Sequence, residues 1–232
     1  MSRINFLLFF IIFLSAFFYG DESMKCNDPL YLSDVQIETY SVLALRGDPL
    51  KASYLNDFFA LYEDKISEGE YWIMIGAENG DKTLEFNYAC TLKDIYNDKQ
   101  RALFYFKNAA EKGLESAKML VKDKTEYSVP SENLLPLAVD KKNIKQFTNA
   151  AKLGSKKAAE KLIDYYRSQK IEMKKIDSVE RMNKEDTFIY WLRIGAQNGS
   201  KECMKEYAEL LRKSSDKYDN IRAEFWEKRS KT

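Results

Sequence analysis

The stretch DKQRALFYFKNAAEKG, residues 98–113, contains the pattern on which the fold of this chain depends. It ends in a short tag of two small residues, two variable residues and a glycine. The tag recurs as GAENG at 76–80, AAKLG at 150–154 and GAQNG at 195–199, with a degenerate copy, LALRG, at 43–47. The closing glycines are 33, 33, 41 and 45 residues apart. Spacings in this range indicate stacked supersecondary units, so the sequence predicts a repeat protein.

An apolar stripe with helical spacing follows each tag. Its residues in three of the units are Leu84, Tyr88 and Leu92, then Ala158, Leu162 and Tyr166, then Cys203, Tyr207 and Leu211. The i, i+4, i+8 spacing predicts one buried face per helix. The tag glycine suits the left-handed position that ends the preceding helix, and Asp81, Ser155 or Ser200 can cap the next one.

The second helix of each unit leads into the next tag and carries aromatic residues. Trp72 and Trp191 occupy the position of Tyr105 relative to the tag, and Trp226 lies in a terminal half-unit that begins at Asp219. We predict that these tryptophans belong to the core. The units are 48–80, 81–113, 114–154 and 155–199, with inserts at Lys122–Leu137, which contains Pro130 and Pro136, and at Lys170–Lys184.

The amino terminus has the composition of an export signal. After Arg3, the apolar run FLLFFIIFLSAFFY fills residues 6–19 and ends before Gly20. This run is shorter than a normal membrane-spanning helix and fits the core of a signal peptide. No Ala-x-Ala motif precedes Asp21, so residues 1–20 are either a cleaved signal peptide or an uncleaved signal anchor. In both cases we expect the folded part to be exported, with 21–35 as a linker.

The chain has three cysteines and no histidine. The absence of histidine excludes Ser-His-Asp and Cys-His nucleophilic sites and every zinc site that uses histidine. We predict no catalytic residue, no cofactor and no metal. In an oxidising compartment, Cys26 and Cys90 are the candidates for a disulfide, and two unpaired thiols are the alternative. Cys203 stands at a small packing position, which predicts a buried thiol.

The net charge of +1 gives no reason to expect nucleic acid or a charged membrane as partner. The charge is nevertheless unevenly distributed. Residues 48–98 contain 11 acidic and 4 basic side chains, whereas residues 140–175 contain 4 acidic and 11 basic ones. Such a dipolar surface can orient a protein partner. The alternative is two solvated helix faces that keep the protein soluble.

The paired-helix pattern resembles the Sel-one-like repeat, a relative of the tetratricopeptide repeat, over about residues 36–229. The resemblance is carried by Leu84-x-Phe86-x-Tyr88-Ala89-x-x-Leu92 and by Asp98-x-x-Arg101-Ala102-x-x-Tyr105-Phe106-x-x-Ala109-Ala110-x-x-Gly113. The chain departs from the family because the usual Gly-x-Gly loop between the two helices is missing. The resemblance implies an all-α fold over 36–232, a right-handed α-solenoid of stacked antiparallel helix pairs.

The leader together with YWIMIGAENG at 71–80 is similar to immunity proteins for type VI secretion phospholipase effectors. Those proteins lie in the periplasm and bind the toxin so that its lipid substrate cannot enter. The resemblance implies an exported binding protein whose partner is a cognate toxin effector. It implies a location in the periplasm, or on the inner membrane facing the periplasm, with membrane contact only through an uncleaved N-terminal segment. The alternative is a periplasmic scaffold or regulator.

An enzyme is the third class of function. Some exported proteins of this repeat family act as β-lactamases, and they carry a cysteine pair in nearly every repeat. This chain lacks those pairs and has no Ser-x-x-Lys motif in a convincing context, so we predict that it is not an enzyme.

The candidate partner-binding residues lie off the buried stripe of the first helix of each unit. They are Tyr54, Asp57, Phe86 and Tyr165, and aromatic side chains make good interface anchors. For Phe86 and Tyr165 the alternative is packing between units. A further group, consisting of Glu63, Asp64, Glu68 and Glu70, forms either an acidic rim or a solvated loop.

Overall fold

The structure, a computed structural model, describes residues 28–122, 134–169 and 187–232. In those ranges it contains helices and no strands, which confirms the predicted all-α solenoid. The α-helices are α1 (Asp34–Leu45), α2 (Pro49–Asp57), α3 (Ile66–Glu78), α4 (Lys82–Asp94), α5 (Lys99–Glu111), α6 (Glu115–Val121), α7 (Ile144–Lys152), α8 (Lys156–Ser168), α9 (Phe188–Gln197), α10 (Lys201–Arg212) and α11 (Lys217–Ser230). A π-helical turn, Phe58–Tyr62, continues α2. The leader, Cys26 and most of both inserts lie outside the described residues.

The tag glycines end helices as predicted. All five have a positive φ, between 87° and 113°, which a residue without a Cβ atom adopts at little cost. The side chains of Asp81, Ser155 and Ser200 accept hydrogen bonds from backbone N–H groups in the first turns of α4, α8 and α10. The tag therefore combines a helix stop with the start of the next helix.

Two halves of five helices each, α1–α5 and α7–α11, repeat the same packing. A Cβ atom added to Gly76 of α3 would lie 2.1 Å from Cδ1 of Leu84, and one added to Gly195 of α9 would lie 2.6 Å from Sγ of Cys203. The next neighbours are the Cβ atoms of Ala52 and Ala159, which also occupy equivalent positions. The small first residue of these two tags thus allows three helices to meet closely in each half.

The last helix packs against the first, so the two ends of the described solenoid meet. Lys217 of α11 forms an ion pair with Glu38 of α1 at 2.7 Å, and the Phe225 ring covers Gly47 at the end of α1. The equivalent contact in the other half is made by α5, whose Phe104 ring covers Gly154 at the end of α7. Each half therefore uses its final helix to cover the first helix of the other half.

The predicted core residues are in the core. Trp72, Trp191 and Trp226 are all buried, as are Cys203 and most of the three predicted stripes. Tyr88 and Tyr166 are partly exposed and pack against the core clusters. The stripes thus face the neighbouring helices, as their spacing predicts.

Candidate functional site

Arg101 of α5 reaches across the molecule to the tag of the second half. Its guanidinium donates to Oδ1 of Asn198 at 2.8 Å, to Oε1 of Gln197 at 2.6 Å and to the carbonyl oxygen of Lys152 at 3.3 Å. The guanidinium carbon stacks 3.9 Å from the centre of the Phe104 ring. Arg101 is only 2% exposed, so this charged group lies inside the protein.

Arg222 of α11 makes the equivalent contacts with the first half. It donates to Oδ1 of Asn79 at 2.8 Å, to Oε2 of Glu78 at 2.8 Å and to the carbonyl oxygen of Leu45 at 3.1 Å. Its guanidinium carbon lies 3.8 Å from the centre of the Phe225 ring. The two halves are thus joined by two arginines in matching environments, each bound to the tag of the opposite half.

One residue makes these environments chemically different. Arg222 faces a carboxylate, Glu78, where Arg101 faces an amide, Gln197. Glu78 also accepts two hydrogen bonds from Arg193 of α9, at 2.9 and 2.8 Å, and one from the Gln197 amide. Burial favours the neutral acid, but the Arg193 and Arg222 guanidiniums outweigh it and hold the pKa of Glu78 below its ordinary value. Glu78 is therefore an ionised carboxylate at the centre of the molecule.

A cavity of about 190 Å³ lies beside Arg101, between α4, α5 and α9. Its walls are Tyr88, Leu92, Tyr96, Asp98, Arg101, Tyr190, Arg193, Ile194 and Gln197. In the other half, the residues equivalent to Tyr88 and Leu92 are Tyr207 and Leu211, and both are completely buried. Trp226 fills the neighbouring space there and is buried too. Tyr88 and Leu92 at the cavity are thus less completely buried than their counterparts in the other half.

Tyr96 forms the exposed border of this cavity. Its hydroxyl group donates to Oε2 of Glu70 on α3 at 2.7 Å, and that hydrogen bond raises the pKa of Tyr96 to about 12. Tyr96 therefore links the cavity to a second feature on the surface.

That feature, called the acidic edge here, combines exposed apolar side chains with exposed or half-buried acidic ones. It extends from the π-helical turn to the start of α3 and includes the end of α4. Its apolar members are more than half exposed: Leu61, Ile66, Ile95 and Tyr96. Its acidic members are Glu63, Asp64, Glu68, Glu70 and Asp94. Glu63 pairs with Lys65 and Asp94 with Lys93, at 3.0 Å each. The backbone beneath is closely packed, because Gly69 of α3 lies against Ala60 of the π-helical turn.

The four predicted partner-binding residues do not form one cluster. Tyr54 is exposed and, with Tyr40, lies under the Lys51 ammonium group, and Asp57 ends the same helix, α2. Phe86 of α4 packs edge to face on Phe106 of α5, with ring centres 5.4 Å apart, and this contact lies within the unit 81–113. Tyr165 is half-buried on α8, whose main neighbours are α7 and α9.

The cysteines form no disulfide within the described residues. Cys90 is a half-buried free thiol and Cys203 a buried one, as predicted, and burial raises the pKa of both, that of Cys203 to about 11. The proposed partner of Cys90, Cys26, lies outside the described residues, so that disulfide stays a prediction.

The described ranges contain neither a metal-binding cluster nor a helix that could span a membrane. There, no group of three or more cysteine, aspartate or glutamate side chains is arranged to hold a metal ion. None of the helices in the same ranges combines the length and apolar character that a membrane crossing requires.

Sequence reasoning did not predict the roles of Glu78, Arg101 and Gln197. A signal for them is nevertheless present, because Asp-x-x-Arg-Ala occurs at both 98–102 and 219–223, and the tags of α3 and α9 differ in Glu against Gln at one position. Comparison of the chain with protein-family models, with curated proteins and with solved structures found no match.

Proposed function

We propose that this chain is an exported binding protein that neutralises a protein partner by capping it, as immunity proteins for type VI secretion phospholipase effectors do. The leader and the resemblance of the repeat pattern support export and this class of partner. The observation that carries the binding function is the acidic edge, where apolar side chains are exposed beside carboxylates on a firmly packed backbone.

The composition of the acidic edge favours a basic, partly apolar surface on the partner. Ile66 is 59% exposed and Ile95 62% exposed, so each can be buried in an interface. The surrounding carboxylates attract lysine and arginine side chains and discriminate against acidic surfaces. Because helices α3 and α4 are already ordered, binding here costs little conformational entropy.

The test is co-purification of the full chain with the products of its neighbouring genes, followed by an assay of phospholipase activity. We expect one product to be a toxin that binds tightly and loses activity on binding. The double variant Ile66→Lys/Ile95→Lys should weaken this binding by about 10- to 100-fold, because two interface anchors become charged. The matched control is Val35→Lys on α1, which is 76% exposed and lies outside the acidic edge.

Other results of this test would favour a different function or contradict the proposal. Recovery of several envelope proteins without loss of any enzymatic activity would favour a periplasmic scaffold. The proposal fails if the chain binds no neighbouring product and cells that lack it stay resistant to attack by their siblings. If the double variant and Val35→Lys change the affinity for the partner equally, the acidic edge is not part of the interface.

A further inference from the structure

We propose that the cavity beside Arg101 is a binding site for a small organic monocarboxylate. The site lies inside the molecule at the junction of the two halves. It goes beyond the proposed function, because binding of such a ligand needs neither the leader nor a protein partner, although the cavity and the acidic edge share Tyr96 and Glu70 at their border.

Arg101 carries a buried positive charge that has no acidic partner beside it in the described part of the chain. Among the described residues no carboxylate accepts a hydrogen bond from its guanidinium, and its Nε atom has no partner. A buried charge without a counter-ion is costly, whereas a carboxylate forms short, charge-assisted hydrogen bonds with a guanidinium. An anionic ligand therefore supplies what Glu78 supplies to Arg222.

The other charges that line the cavity are already engaged. Asp98 forms an ion pair with Lys152 at 2.8 Å, and both side chains are about one-tenth exposed. Arg193 is bound to Glu78 at 2.8 Å. Arg101 is therefore the cation that faces the cavity without an acidic partner among the described residues.

The size and walls of the cavity restrict the rest of the ligand. Its 190 Å³ is below the roughly 300–1,000 Å³ typical of pockets for drug-sized molecules. Tyr88, Leu92, Tyr190 and Ile194 provide ring and aliphatic surface. Glu70 at the Tyr96 border disfavours a second negative charge. The ligand class is thus a single carboxylate on one ring or on a short apolar chain.

The two halves differ in burial as well as in charge at these equivalent positions. Arg101, which is bound to Gln197, has no counter-ion among the described residues, and the cavity lies beside this same arginine. On the side where Glu78 neutralises Arg222, the counterparts Tyr207, Leu211 and Trp226 are all completely buried. The arginine that lacks a counter-ion is therefore the one that has a cavity beside it, which is the arrangement that a ligand site requires.

The test is isothermal titration of the full chain with benzoate, and with benzamide as an uncharged probe of nearly the same shape. We expect benzoate to bind with one-to-one stoichiometry and benzamide at least about tenfold more weakly. Leu92→Phe, which fills the cavity while keeping Arg101, should abolish benzoate binding. Leu50→Phe is the matched control, because Leu50 is exposed on α2.

Arg101→Gln removes the charge and should make benzoate bind no better than benzamide. If circular dichroism shows that Arg101→Gln is unfolded, the binding of benzoate to Leu92→Phe tests the proposal instead. The proposal is overturned if benzoate shows no saturable binding, if the two probes bind equally, or if folded Leu92→Phe binds benzoate as the parent chain does.

Discussion

Replacement of Glu78 by glutamine tests whether its charge holds the two halves together. The side chain is buried and accepts hydrogen bonds from Arg193 of α9 and Arg222 of α11, at 2.8–2.9 Å. Glutamine has almost the same shape, so the packing stays intact. Its amide group, however, cannot neutralise two buried guanidiniums. The N–H donors of the amide would also face the N–H donors of the two arginines, so hydrogen bonds would be lost. The perturbation is therefore almost purely electrostatic.

The expected loss is large for a single substitution. Removing one partner of a buried ion pair costs about 3–5 kcal/mol, because the remaining charge is left uncompensated. Here two guanidiniums lose their shared carboxylate, which places Glu78→Gln toward the upper part of that range. The free energy of unfolding of a typical protein is only about 5–15 kcal/mol, so the variant should be close to unfolding.

The assay is urea unfolding followed by tryptophan fluorescence, with Trp191 and Trp226 as buried reporters. The matched control is Glu85→Gln. Glu85 is as buried as Glu78, at 3% against 4% exposed, but among the described residues it forms one ion pair, with Lys112 at 2.7 Å. Burial raises the pKa of Glu85, with Lys112 opposing the rise, so the folded state already disfavours its charge. Losing that charge should change stability by less than about 1 kcal/mol.

Acid titration of the same variants gives a second readout. The pKa of folded Glu78 lies below its ordinary value of 4.5, so its stabilisation is complete above about pH 4.5 and is lost as the pH falls through the folded pKa. The parent chain should therefore lose stability more steeply below pH 4.5 than Glu78→Gln. If Glu78→Gln and Glu85→Gln lose the same small stability, or if their acid titrations coincide, the central carboxylate does not have this role.

Three further predictions follow from packing. Deletion of 217–232 removes the cover of α1 and should greatly accelerate amide hydrogen exchange in α1, measured by mass spectrometry; unchanged protection would contradict the closure of the two ends. Gly195→Ala places a Cβ atom 2.6 Å from Sγ of Cys203 and should cost about 1–3 kcal/mol in chemical unfolding, whereas a loss near zero would mean that the helices separate freely. Cys203 should resist a thiol reagent at pH 8 until denaturant is added, because its pKa is about 11, and prompt labelling in the native chain would refute its burial.

The local features could be predicted because each depends on residues close in sequence. A tag glycine with positive φ followed by a capping side chain, such as Gly80 and Asp81, stops one helix and starts another through contacts within a few residues. The buried stripe of each helix likewise follows from the period of the α-helix. These rules explain why the all-α repeat fold was predictable without long-range information.

The candidate sites were less predictable for a physical reason. Whether Phe86 faces a partner or packs on Phe106 depends on how α4 and α5 are rotated against each other, and helical spacing does not determine that rotation. The cavity depends on a comparison between residues of different units, such as Leu92 and Leu211. No local pattern predicts that a cavity lies beside Arg101.

The repeat, the helix boundaries at the tags and the apolar faces follow from the order of the amino acids alone, since these are properties of single helices and their immediate neighbours. The meeting of the two ends, and the binding of Arg101 and Arg222 to the tags of the opposite halves, depend on how the helices pack in three dimensions. The path of a solenoid is the sum of small rotations between successive helix pairs, and each rotation is set by side-chain packing between units. A contact between Arg222 and Leu45, 177 residues apart, therefore appears only when all those rotations are combined.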